Sequence, residues 1–153
     1  ILKKVDVIII INKSLDFIKL TSKSSINLIK KTKNLFINGD EGQLNRVFIN
    51  LIKNSEEAFS EKIEKDPNFK GIIDIEINDI NDYIVINIID NGTGITDAKK
   101  AMTPYYTTKK TGTGLGLPIV TKIINEHSGN ISIKNKLNGI GVETKISFPK
   151  FNA

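Results

Sequence analysis

Hydrophobic and polar positions along the chain follow first a helical and then a strand-like spacing. Residues 1 to about 20 carry apolar side chains at nearly helical intervals, which predicts one amphipathic helix. Two short strands are predicted next, over Ser25 to Lys30 and over Leu35 to Ile37, with residues 38–40 as the turn that closes them. The pattern begins without a helix start signal, so we expect the chain to be a piece of a longer protein.

The most regular helical pattern runs from about Glu41 to Phe59, with Asp40 as its expected cap. Asn50 and Asn54 lie one turn apart on the edge of its apolar stripe. Two amide oxygens stacked in this way can hold a hydrated Mg²⁺ ion or position a water molecule, because magnesium prefers oxygen ligands and keeps several waters. They can equally lie at a hydrated boundary with no such role, and the pattern leaves both interpretations open.

Four further strands are predicted in two pairs. Residues 60–70 are polar and are expected to form a loop. The first pair covers Ile72 to Ile77 and Tyr83 to Ile89, and the second covers Asn130 to Lys134 and Val142 to Phe148.

Asp90 directly follows one of these strands and begins a loop rich in glycine. A carboxylate at the end of a buried strand has lost much of its water and needs a strong donor, which the amino group of a ligand can supply. Asn91, Gly92 and Gly94 tolerate positive φ and let a flat ligand approach the backbone. The stretch therefore favours a nucleobase pocket, with an ordinary Asn-Gly hairpin turn as the alternative.

The loop that follows, residues 91–111, shows no periodicity and is predicted to be a mobile lid. Aromatic, hydroxyl and ammonium groups near its end can anchor the lid and reach phosphate oxygens. A glycine-rich stretch, residues 112–117, then opens a helix that reaches His127 and is expected to end at Gly129. Backbone N–H groups at such a helix start can bind a polyphosphate.

Composition narrows the class of protein. The 153 residues contain 39% hydrophobic residues and no cysteine, which predicts one globular domain without disulfides or thiolate metal sites. No segment approaches the roughly 20 apolar residues of a membrane helix. The formal net charge is +5, but the lysines are scattered. A solvated surface is therefore favoured over a nucleic-acid footprint, and a binding module for polyanions remains the alternative.

Four separated blocks occur in one order and resemble the ATP-binding domain of sensor histidine kinases, within the wider family that includes gyrase, Hsp90 and MutL. Residues 50–54 resemble the asparagine box of that family, and residues 90–95 resemble its first glycine box. Residues 104–109 resemble the aromatic lid box, and residues 112–117 the second glycine box. Residues 139–144 are similar to the closing glycine and threonine element. The amino-acid sequence of the lid resembles that of the nitrogen-regulation class of sensor kinases in particular.

The resemblance implies a two-layer α/β sandwich, the Bergerat-type fold, in which helices cover one face of a mixed sheet and an ATP lid lies between them. It implies that residues 1–23 are the tail of a preceding linker or helix and that residues 24–153 are the ATP-binding catalytic domain. Asp90 would accept a hydrogen bond from the adenine amino group, with Gly94 and Thr144 helping through a water molecule.

The same resemblance implies which residues would contact the phosphates and the metal. Asn54 would bind Mg²⁺, and Asn50 would lie beside the phosphates or the metal. Lys109 and Thr108, with the backbone amides of Gly114 to Leu117, would hold the phosphate tail. Catalytic roles fall to Asn50, Asn54 and Lys109. The remaining residues expected to bind the nucleotide are Gly92, Ile95, Tyr106, Thr107, Gly112, Thr113, Leu115 and Gly116.

The implied reaction is transfer of the γ-phosphoryl group of Mg-ATP to a histidine. The only histidine of the chain, His127, lies at a helix end where a basic group complements the helix dipole. We therefore expect the acceptor on an adjoining dimerisation and phosphoacceptor domain, absent from this fragment, and a response regulator as the next partner in two-component signal transduction. The domain would be cytoplasmic and its parent membrane-anchored, with no nucleic acid bound. A stand-alone ATPase or a protein serine kinase of the same fold is the alternative.

Overall fold

The computed structural model describes residues 1–30, 35–94, 116–136 and 140–152. A five-stranded mixed sheet, in the order β2-β4-β5-β7-β6, forms one layer, and a two-stranded antiparallel sheet joins β1 to β3. Helices α1, α2 and α4 lie side by side on one face of the large sheet, with α2 in the middle. The predicted two-layer α/β sandwich is confirmed. The elements are β1 (Lys3–Asp6), α1 (Val7–Lys19), β2 (Ser25–Lys30), β3 (Phe36–Gly39), α2 (Glu41–Glu57), α3 (Ser60–Lys65), β4 (Ile72–Ile80), β5 (Tyr83–Asp90), α4 (Gly116–Glu126), β6 (Asn130–Asn135) and β7 (Val142–Pro149).

The prediction of a single helix over residues 1 to 20 is wrong for its first residues, because strand β1 precedes α1. The Asp6 carboxylate accepts hydrogen bonds from Ile8 N and Ile9 N and so fixes the start of the helix. Val5 and Val7 are buried in the same core as the rest of the chain. The domain boundary predicted after residue 23 stays a prediction. The described residues on both sides of it share one hydrophobic core, so the core does not test the boundary.

The predicted turn at residues 38–40 is also corrected. Asn38 and Gly39 continue β3, because they pair with Lys4 and Lys3 of β1. Asp40 then caps α2 as predicted, and its side chain accepts from Gln43 N at 3.0 Å. That hydrogen bond from the Gln43 N–H is the main cause that lowers the pKa of Asp40 below its ordinary value.

Residues 60–70 contain a short helix, α3, where the sequence predicts a loop throughout. Helix α3 has no buried residue of its own, so it carries no apolar stripe that a periodicity search can find. It is attached at its start by Phe59, which is buried and whose ring lies 5.9 Å from that of Phe69.

The inward face of the large sheet is almost wholly aliphatic. Ile75 of β4 pairs with Ile88 of β5, and Ile86 pairs with Ile146 of β7, and all four side chains are fully buried against the helices. Because side chains alternate along a strand, Asp90 points to the same face as Ile88. The periodicity of β5 therefore aims a carboxylate at the helical layer.

The end of α4 differs from the expected glycine cap. Ser128 takes the left-handed conformation, with φ of +57°, and Gly129 N donates to Ile124 O at 2.9 Å. Gly129 is required for space, since a Cβ there would lie 2.6 Å from Ser147 O. The turn that ends α4 therefore packs directly against β7.

Candidate functional site

Asp90 is a buried carboxylate, 4% exposed, at the end of β5. Its Oδ1 accepts from Gly92 N at 2.9 Å and from Val142 N at 3.2 Å. In the described part of the chain, both hydrogen bonds to the carboxylate go to Oδ1. The two backbone donors lie 50 residues apart in sequence (142 − 92), so the carboxylate ties the loop after β5 to the start of β7.

The loop after Asp90 is held by the residue next to it. Asn91 Oδ1 accepts from Ile72 N at 2.7 Å, and Asn91 Nδ2 donates to Lys70 O at 3.1 Å. The Lys62 ammonium group of α3 donates to Asn91 O at 2.9 Å. Three hydrogen bonds therefore fix the backbone beside the carboxylate, and a simple two-residue hairpin turn does not describe this loop.

Helix α2 connects the two ends of the site. At its C-terminus, a Cβ on Gly92 would lie 2.8 Å from the Ala58 Cβ, so the loop after Asp90 passes directly against the helix. One turn earlier, the amide of Asn54 lies beside Gly116, the first residue of α4, where an added Cβ would be 3.8 Å from Asn54 Nδ2 and 3.9 Å from Oδ1. Asn50, half-buried, lies one further turn along the same face.

The loop between β6 and β7 closes the other side of Asp90. Gly141 has φ of +91°, and a Cβ there would lie 1.9 Å from Asp90 O. Gly94 has φ of +86°, and its Cβ would meet Asn135 Oδ1 at 2.8 Å. Thr144, which is 8% exposed, pairs with Ile88, two residues before the end of β5, and so lies on the inward face of the sheet.

The described residues thus bring together Asp90, Gly92, Gly94 and Thr144 at one end of the site, and Asn54 with Gly116 and Leu117 at the other. The predicted lid and most of the second glycine box lie outside the described residues. The predictions for them stay predictions: Ile95, Tyr106, Thr107, Thr108, Lys109, Gly112, Thr113, Gly114 and Leu115.

This arrangement has a definite chemistry. A buried carboxylate can only accept hydrogen bonds, which suits a flat ligand with an amino group. The start of α4 carries backbone N–H groups and the positive end of the helix dipole, which suits an anion. An amide side chain between them supplies an oxygen ligand.

A model of one protein family matches residues 39–152, and its description is "Histidine kinase-, DNA gyrase B-, and HSP90-like ATPase". The chain belongs to this family. The matched range contains every described residue of the candidate site, from α2 to Thr144.

Individual relatives are sensor kinases. Sporulation kinase C of Bacillus subtilis is 39% identical over 109 residues, which cover 70% of this chain and 24% of that protein. Nitrogen regulation protein NtrY of Azorhizobium caulinodans is 36% identical over 110 residues, which cover 71% of this chain and 14% of that protein. The chain spans less than a quarter of the length of either relative. The match to the nitrogen regulation protein confirms the predicted likeness to the nitrogen-regulation class.

Among solved structures, the catalytic domain of histidine kinase ThkA superposes with a TM-score of 0.84 at 26% identity, covering 98% of this chain and 96% of that one. The fold of this ATPase domain is therefore that of a histidine kinase catalytic domain. In the ranges that the structure describes, helices fall short of the length and apolar character needed to cross a bilayer.

The sequence analysis did not identify two residues that shape the candidate site, Lys62 and Gly141. Lys62 lies on α3, which was expected to be loop, and nothing in its spacing indicates a contact with Asn91. Gly141 was placed in the closing element without a role. The sequence did carry one indication of a close backbone approach, because a second glycine lies two residues before Gly141.

Gly141→Ala should destabilise the domain more than Gly94→Ala. Both positions have a left-handed φ, which costs a non-glycine residue about 1–2 kcal/mol. At Gly141 the added Cβ also collides with a backbone oxygen, whereas at Gly94 it meets a side chain that can move. We expect an additional loss of at least about 1 kcal/mol at Gly141. Urea unfolding of the two variants measures the difference, and equal losses would refute the close approach.

Proposed function

We propose that this domain binds Mg-ATP and supplies its γ-phosphoryl group to a histidine on an adjoining domain of the same sensor kinase. The observation that carries the proposal is the pairing of a buried carboxylate, Asp90, with the Asn54–Gly116 contact along a single helix, α2. In this proposal α2 would link the base reader to the phosphate site. Ala58, which contacts the loop after Asp90, and Asn54, which contacts Gly116, are separated by a rise of about 6 Å along the helix.

Asp90 is proposed to read the adenine ring. Its Oδ1 is committed to two backbone N–H groups, which leaves Oδ2 to accept from the amino group of the base. Gly92 and Gly94 keep side chains out of the space beside the loop, and Thr144 adds a hydroxyl on the same face of the sheet. A water molecule between Gly94, Thr144 and the ring would complete the set.

Asn54 is proposed to hold Mg²⁺. The donor set fits this ion, because magnesium takes oxygen ligands, keeps several waters and is usually held by one or two protein groups together with the phosphates. Gly116 has no side chain, which leaves room for phosphate oxygens between the amide of Asn54 and the N-terminus of α4. When bound, the ion would neutralise charge on the phosphates. Asn50 would orient the same group, and the predicted Lys109 and Thr108 would approach from the lid.

The acceptor is proposed to lie outside this chain. His127 is 4% exposed, and both of its ring nitrogens are engaged, one with Ile123 O and one with Asp40 N. It is therefore closed to phosphorylation. The longer protein would supply a dimerisation domain with the acceptor, joined through residues 1–23, would pass phosphate to a response regulator, and would hold the domain in the cytoplasm beneath a membrane anchor.

Asp90→Asn should weaken ATP binding by tenfold to a hundredfold, since a charge-assisted hydrogen bond contributes roughly 1.5–3 kcal/mol. Asp74→Asn is the matched control, because Asp74 pairs with Ile89 and so lies on the opposite face of the sheet. Isothermal calorimetry measures both affinities. Binding that is unchanged in Asp90→Asn would overturn the assignment of the base reader.

Asn54→Ala should abolish the increase in ATP affinity that Mg²⁺ produces and leave the affinity for ATP in EDTA nearly the same. Asn45→Ala is the control on the same helix, where the amide instead accepts from Ser14 Oγ of α1. Titrations with and without Mg²⁺ separate the two effects. A Mg²⁺ effect that survives in Asn54→Ala would place the metal elsewhere.

A chain extended upstream to include the expected acceptor domain should become labelled by γ-labelled ATP. The label should be lost in acid and kept in base, as a phosphohistidine requires. Release of phosphate to water without labelled protein would instead favour a stand-alone ATPase. A label stable in acid would favour a serine kinase of the same fold.

A further inference from the structure

His127 joins two elements that meet at the ATPase site. Its Nδ1 donates to Ile123 O at 2.8 Å, within the last turn of α4, and its Nε2 accepts from Asp40 N at 2.9 Å, at the cap of α2. A histidine that donates at one nitrogen and accepts at the other is neutral. His127 lies at the end of α4, as expected from the sequence, and its hydrogen bond with Asp40 N is a contact that the sequence did not indicate.

The imidazole is also tightly enclosed. Its ring lies edge-on to that of Phe148 of β7, with centroids 6.3 Å apart. A Cβ on Gly39 would lie 3.2 Å from His127 Cδ2 and 2.6 Å from Leu44 Cδ1, so β3 passes against the ring with no space to spare. The ring has little freedom to turn, and its hydrogen bonds fix the relative height of α2 and α4.

We propose that His127 is a positioning residue for the ATP site, acting through its two ring hydrogen bonds. The inference rests on the proposed function. Helix α2 carries Asn50 and Asn54 toward Gly116, the first residue of α4, while His127 ties the other ends of the same two helices together. Because a helix moves as a rod, a shift at the Asp40 cap displaces Asn54 against Gly116.

Two substitutions separate the two hydrogen bonds. His127→Asn places an amide near Nδ1, so it keeps a donor for Ile123 O and leaves the Asp40 N–H without a partner. His127→Gln is longer and places an amide oxygen near Nε2, so it keeps the acceptor for Asp40 N. A side chain that merely fills the core would affect both variants alike.

The experiment measures ATP affinity by calorimetry at a temperature where circular dichroism shows each variant to be folded. Leaving a buried donor unpaired is the larger part of the cost of a lost hydrogen bond, so we expect His127→Asn to bind about tenfold more weakly than wild type. His127→Gln should bind within about threefold of wild type, because the acceptor is retained.

Hydrogen exchange of the Asp40 amide, without nucleotide, gives a second measurement. Protection should persist in His127→Gln and be lost in His127→Asn. If wild type binds ATP and His127→Asn binds equally well, or if His127→Gln binds as weakly as His127→Asn, the inference is overturned and the proposed function stands. If His127→Asn fails to fold, His127→Gln decides alone, because a loss of ATP affinity while the Asp40 amide stays protected would overturn the inference. If wild type binds no ATP, the proposed function fails first and this inference falls with it.

Discussion

One buried carboxylate sets the conditions for the rest of this domain. Asp90 is placed among aliphatic side chains by the alternation of β5, where an ionised group is costly unless it is hydrogen-bonded. Two backbone N–H groups meet that requirement, one from the loop that follows and one from β7. Three features follow from this requirement: the path of the loop, the close approach that Gly141 permits, and the contact of the loop with the end of α2.

Helix α2 gives the site its length. It is capped by Asp40 at one end and reaches Gly92 through Ala58 at the other, and its middle turns carry Asn50 and Asn54. The apolar stripe that fixes its rotation also fixes where the two amides point. Packing and function are therefore inseparable in this helix, since the buried face determines the orientation of the polar edge.

Local patterns predicted much of this and missed what depends on distant partners. The strand leading to Asp90, the helix with Asn50 and Asn54 and the closing strands were visible because period-2 and period-3.6 spacing are properties of short segments. Strand β1 was not visible, since its pairing with β3 joins residues that are 30 to 36 positions apart in the sequence. Helix α3 escaped because it buries no residue of its own, and the anchoring of Asn91 by Lys62 follows only from the folded arrangement.

The carboxylate of Asp90 also bears on which base the pocket would admit. An ionised carboxylate accepts hydrogen bonds and donates none. Adenine presents an amino group at the position where guanine presents a carbonyl oxygen, and that oxygen would face the carboxylate as a second acceptor. Discrimination against guanine nucleotides would then arise from repulsion and an unpaired buried group rather than from shape, which is the stronger way for a site to reject a close analogue.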